Sequence, residues 1–67
     1  MSVAKVTEIS SSSPKSIEDA VEKGIARASK TIRNITGAWI QEQKMVVEGG
    51  RVIEWRVNMK VSFILED

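Results

Sequence analysis

Cysteine, histidine and tyrosine are absent from this sequence, and proline and phenylalanine occur once each. Without cysteine there are no disulfides, and without cysteine or histidine the usual ligands of a structural zinc site are missing. The same absences remove the commonest nucleophile and base pairs of enzymes. Ser, Lys, Asp and Glu remain, and they form no recognisable catalytic arrangement, so no enzyme is expected. No apolar run approaches the roughly 18 residues of a membrane span, and the N-terminal residues lack the apolar stretch of a secretory signal. A cytoplasmic protein without a membrane partner is expected. An excess of one charge is lacking too. The net charge is +1, from 10 basic and 9 acidic residues that are interleaved along the chain, which is not the footprint of a nucleic-acid binder.

A chain of 67 residues forms one domain, 1–67, and buries only about 60% of its unfolded surface. With disulfides and zinc excluded, self-association is the natural supplement to its core.

What is present is organised around Ser16 to Ile35. Apolar positions Ile17, Ala20, Val21, Gly24, Ile25, Ala28, Ile32 and Ile35 recur in steps of three and four, predicting one amphipathic helix with a single apolar stripe. The opposite face carries acids first and bases last, which complements the helix dipole, and Asp19 and Lys23 make an i,i+4 pair. Two starts compete: Ser16 capping with Asp19 three residues on, or Ser13 capping with Pro14 as the first helical residue. Gly24 costs about 1 kcal/mol relative to Ala inside a helix, and on the apolar stripe it predicts close approach of a strand backbone. Asn34 or Gly37 supplies the left-handed residue that ends the helix.

Val3 to Ile9 is rich in β-branched residues and reads as a strand, followed by a loop over Ser10 to Pro14, where serines compete for backbone hydrogen bonds. The serines lack the glycines and lysine of a phosphate-binding loop, so capping is their expected use. Ala38 to Val47 and Val52 to Leu65 read as two strands joined through Gly49-Gly50, a pair suited to the positive φ angles of a tight hairpin. In the last strand Ile53, Trp55, Val57, Met59, Val61, Phe63 and Leu65 alternate with polar residues, so one face is apolar and fits the helix stripe. Trp55 belongs to that core face.

A two-residue turn sets Glu48 opposite Arg51, Gln43 opposite Arg56, Gln41 opposite Asn58 and Trp39 opposite Lys60. Trp39, Gln41, Gln43, Arg56 and Asn58 then share the polar face that the helix does not cover. A three-residue loop would instead bury Trp39. An aromatic in this setting is either an anchor in a subunit interface or a stacking platform for a planar ligand whose edge meets amide and guanidinium groups.

The opening VAKVTEI, the stretch SSSPKSIEDAVEKGIARASKTIRN and the closing WRVNMKVSFILED resemble the dodecin family over nearly the whole chain. The resemblance implies an α+β fold, β-α-β-β, with a three-stranded antiparallel sheet wrapped around one helix and assembled as a hollow homododecamer. It also implies non-catalytic binding of a flavin such as riboflavin, FMN or the breakdown product lumichrome. The family's flavin-stacking Trp falls on Gly37 here, and the Gln that meets the flavin edge falls on Arg56. Trp39, two residues on and hence on the same face, is the expected replacement platform, with Gly37, Gln41, Arg56 and Asn58 around it. The departure also resembles a branch of the family that lacks the Trp and is linked to divalent cations, which makes calcium the alternative ligand. For Arg56 two roles stand open: donating to ligand oxygens, or an ion pair with Glu42 or Glu54 of a neighbouring subunit.

Overall fold

A computed structural model describes residues 3–66; the outermost positions of the expected 1–67 domain and of the closing motif lie outside the described residues. The elements run β1 (Ala4–Ser13), α1 (Ile17–Ala28), β2 (Ile35–Glu48) and β3 (Arg51–Ile64). The three strands form one antiparallel sheet in the order β1-β3-β2, with β3 central. The helix packs on β1 and β3, so the α+β fold expected from the sequence is the fold of the chain. No helix among the described residues is long and apolar enough to cross a membrane.

The helix begins where the first of the two expected starts put it. The Asp19 N–H donates to Ser16 Oγ at 3.0 Å, making Ser16 the N-cap. Ser13 has a different task, because it is the last residue of β1 and is 1% exposed. Its hydroxyl donates to Asp19 Oδ2 at 2.5 Å and accepts from the Lys15 N–H at 2.9 Å. The expected Asp19–Lys23 ion pair also forms, at 3.1 Å on the same oxygen. The Ser13 hydroxyl first, then Lys23, hold the Asp19 carboxyl below its usual value. This knot fixes the angle at which the chain leaves β1 for the helix.

Two boundaries differ from the sequence reading. The expected Ser10 to Pro14 loop is mostly strand, since β1 runs through Ser13 in unbroken register with β3, ending at Ser13↔Trp55. Ladder pairing with the central strand outweighs the local preference of serine. Small side chains here also let the helix come close. A Cβ on Gly24 would lie 2.8 Å from Met59 Cε and 2.9 Å from Ser11 Cβ. Gly24 thus makes room as expected, for sheet side chains rather than for strand backbone.

The helix stops at Ala28, seven residues short of Ile35. The Ser29 hydroxyl donates back to the Ile25 carbonyl at 2.8 Å, and the N–H groups of Lys30 and Thr31 turn to carbonyls three residues back, a tightening that ends the α-helical ladder. Asn34, at φ 63°, is the left-handed residue; Gly37 is not. Asn34 ends the connection rather than the helix, and Ile35 opens β2. Ile32 keeps its apolar use outside the helix, lining a recess with Phe63 and Leu65.

The core is Ala20, Val57 and Met59, with Ile9, Ile17, Val21 and Ile25 packed around it. Val61 and Ala28 are buried as well. Trp55 is half-buried rather than central, placed between Ser13 of β1 and Met45 of β2. A 12-residue helix is about 18 Å long, whereas the 14-residue strands of the hairpin extend about 46 Å. The helix therefore cannot reach the hairpin tip. Met45 and Val47 remain 51% and 59% exposed there.

Candidate functional site

Val57, Met59 and Val61 of β3 are buried under the helix, so Arg56, Asn58, Lys60 and Ser62 point to the uncovered face. Partners directly across neighbouring strands share a face. That face is consequently a grid of rows running β1, β3, β2: Val6–Ser62–Gly37, Glu8–Lys60–Trp39, Ser10–Asn58–Glu42 and Ser12–Arg56–Lys44.

The hairpin turn is the two-residue one expected, with Glu48 opposite Arg51 and positive φ at Gly49 and Gly50. Trp39 stands opposite Lys60 as predicted and is 49% exposed on the polar face. The residues between the turn and Trp39 are rearranged. β2 and β3 slip by one near Val46/Val47 and slip back at Gln41, which has no partner on β3. The two irregularities cancel, which is why both ends of the predicted register hold while its middle does not.

Gln43 therefore faces Val57 on the helix side of the sheet, and Gln41 occupies the bulge. Neither stands beside Arg56 or Asn58 as the sequence reading had it. Lys44 and Glu42 take those places. The irregular pairing of β2 is the physical cause, since alternation counted from the turn assigns the wrong parity between two bulges.

Asn58 is fully engaged within the sheet. Its Oδ1 accepts from Ser10 Oγ at 2.6 Å and its Nδ2 donates to Glu42 Oε1 at 3.0 Å, tying the three strands together. Arg56 donates from Nε to Glu54 Oε2 at 2.6 Å. The ion pair considered for it exists, but within one chain. Gly37 sits beside Trp39 on β2, opposite Ser62, whose hydroxyl donates to the Gly37 carbonyl at 3.3 Å. Gly37, two residues from Trp39 on the same face, places no side chain beside the indole.

Beyond Trp39 lies a feature the sequence reading missed, a depression of about 370 Å³ lined by Ser10, Ser12, Glu42, Lys44, Arg56 and Asn58 among others. Trp39 does not line it. The run of serines was the available signal, because four consecutive small hydroxyl residues on a strand leave space on both faces. Among the described residues no group of three or more Asp, Glu, His or Cys side chains converges on a point that would hold a metal.

Comparison with known proteins sets this geometry in a lineage. The profile of the dodecin family matches residues 3–66. Calcium dodecin of Mycobacterium tuberculosis is 38% identical over 63 residues, spanning 94% of this chain and 89% of that protein. Its crystal structure, described as that of a calcium-chelating antigen with a novel calcium-binding site, matches with a TM-score of 0.82 at 34% identity, covering 96% of this chain and 91% of the other. Dodecin from Streptomyces davaonensis matches with a TM-score of 0.93 at 33% identity, covering 98% and 97%. With one helix on a β1-β3-β2 sheet matched from end to end in both sequence and backbone, the chain belongs to the dodecin family.

Proposed function

We infer that this protein is a non-catalytic flavin store that assembles with itself into a dodecameric shell and sequesters riboflavin, FMN or lumichrome against light and unwanted redox reactions. One observation carries the reading: Trp39 stands half-exposed on the uncovered sheet face, with the side-chain-free Gly37 next to it on the strand. An indole in that position offers a planar ring a surface to stack on, with polar groups of the neighbouring rows at its rim. A bound flavin would supply the redox-active ring; the chain supplies the platform, the rim and a second copy to close the site. Self-assembly is supported by the apolar hairpin tip, where Met45, Val47, Val52 and Ile53 are exposed beyond the reach of the helix. The Ser13–Asp19 pair, the only close hydroxyl–carboxylate contact among the described residues, has its hydroxyl buried at the junction of β1 and α1 and gives no reason to assign catalysis.

Calcium binding is the second reading, favoured by the likeness to calcium dodecin and by the loss of both usual flavin contacts at Gly37 and Arg56. The residues of one chain do not fit it. Glu42 and Glu54 are turned to Asn58 and Arg56, Glu8 stands in another row beside Lys60, and no three carboxylates of the described residues converge, so a calcium site would have to draw carboxylates from more than one copy. The deciding experiment is titration of the assembled protein with riboflavin, FMN and lumichrome, following ligand fluorescence, beside a calorimetric calcium titration. Quenching by saturable binding is expected. Unquenched flavins together with saturable calcium binding would replace the first reading by the second, and a folded monomer in light scattering at micromolar concentration would remove the shell.

A further inference from the structure

Sulfur in this chain is confined to methionine, since cysteine is absent, and the two methionines of the sheet stand in opposite circumstances. Met59 of β3 is 1% exposed beneath the helix, whereas Met45 of β2 is 51% exposed toward the hairpin tip. Met45 stands directly opposite Trp55, itself only half-buried, and cross-strand partners share a face. Val47, Val52 and Ile53 beside them are exposed as well. Met45 therefore lies within the apolar patch that a second copy has to cover, and its sulfur stays open to solvent until that copy arrives. An exposed thioether reacts readily with peroxides, while a buried one waits for the structure to open.

We propose that Met45 is a redox switch on assembly: hydrogen peroxide converts its thioether to the sulfoxide in the free subunit, and the sulfoxide keeps a second copy from covering the hairpin tip. This rests on the self-assembly reading above. The sulfur lone pair attacks one peroxide oxygen, the O–O bond breaks, and proton transfer leaves the sulfoxide and one water. Sulfur is oxidised by two electrons and the peroxide is reduced by two. The step turns a flexible apolar side chain into a polar, chiral one. Its new oxygen is hydrated on a free subunit but lacks a donor inside an apolar contact, which disfavours the covered state. Met59 is spared under the helix, so the fold outlasts a dose that modifies Met45. Enzymatic reduction of the sulfoxide restores the thioether, which makes the block reversible.

The test follows the purified protein through a dilution series with hydrogen peroxide, with peptide mass spectrometry reading Met45 and Met59 separately and light scattering reading particle size. Met45 should be oxidised at least about tenfold faster than Met59, and the oxidised protein should be left as folded, smaller species. Met45→Gln, a polar mimic of the sulfoxide, should fail to assemble without any oxidant, while Met45→Leu assembles and keeps its size under peroxide. Oxidation of Met59 as fast as Met45, or full-sized particles of fully oxidised protein, would overturn the switch. If both variants fail to assemble, treatment of the oxidised parent with methionine sulfoxide reductase decides: recovered assembly supports the switch, and none overturns it. An untreated parent that is a folded monomer fails the self-assembly reading itself, and the switch falls with it.

Discussion

β1 keeps step with β3 through every pair from Ala4↔Ile64 to Ser13↔Trp55, whereas β2 slips three times between Ile35 and Glu48. The regular strand lies beneath the helix and is tied to it by the Ser13–Asp19 bond; the irregular one carries Trp39, Glu42 and Lys44 and has an apolar tip beyond the helix. Packing explains the division. Every residue of β1 near the helix has one face committed to a core, so a slip would turn buried positions outward. β2 makes no such packing with the helix, which leaves it free to serve the binding and assembly proposed for it.

The strongest way to break this comparison is to delete Ile9. Losing one residue from the regular strand inverts the faces on one side of the deletion and sets β1 against its own alternation. No cooperative unfolding transition should remain, and a variant that unfolds cooperatively near the parent midpoint would show that β1 is as tolerant as β2. Next in size, Met59→Ala removes the largest fully buried side chain and should lower stability by about 2–5 kcal/mol. Denaturant unfolding at fixed protein concentration measures it. A loss below about 1 kcal/mol would mean that the fold is held elsewhere than under the helix.

On the β2 side, Trp39→Ala should weaken flavin binding by about 1–3 kcal/mol, by analogy with base stacking on aromatic side chains, while light scattering reports an intact assembly. Unchanged affinity would remove Trp39 as the platform. A smaller effect tests the knot on the β1 side. Because the Asp19 carboxyl titrates lower when folded than when unfolded, it adds stability that is fully present above the unfolded value of about 3.9 and fades as pH falls through the lower folded value. Ser13→Ala removes the larger cause of that lowering, so the loss of stability below about pH 4 should become shallower. An acid transition identical to the parent's would exclude the Ser13–Asp19 bond as its source.

The same division explains what could be read from the sequence. From Trp55 onward, alternation along β3 located the covered and uncovered faces because that stretch pairs on both sides, whereas Ile53, skipped in the pairing with β2, is exposed; Gly49-Gly50 located the turn because few other pairs adopt positive φ twice. Trp39 was placed on the correct face, but only because two bulges between it and the turn cancel. Glu42 and Lys44 were missed for the same reason. No residue type announces the extra position at Gln41, since its cost is set by the twist of a hairpin that only the folded sheet possesses. The helix was read too long because Ile32 and Ile35 continue its period while serving a recess and a strand. Periodicity records burial, and burial continued after the helix had stopped.

The smallest expected change in stability comes from deleting Gln41, and it sharpens the comparison most. Ile40↔Met59 and Glu42↔Asn58 are already consecutive pairs on β3, so removing the residue between them turns no side chain to the opposite face. The ladder gains continuity and loses an unpaired residue, and the unfolding midpoint should hold or rise. The bulge also adds local twist in the stretch of β2 next to Trp39. If Trp39 is the flavin platform, a smoother strand should therefore bind flavin less tightly although it is no less stable. Ile9 and Gln41 are each single residues in strands flanking β3, yet one deletion should abolish folding and the other should touch only binding. If deleting Gln41 costs as much stability as Met59→Ala, the bulge is part of the scaffold, and the assignment of β2 to function loses its basis.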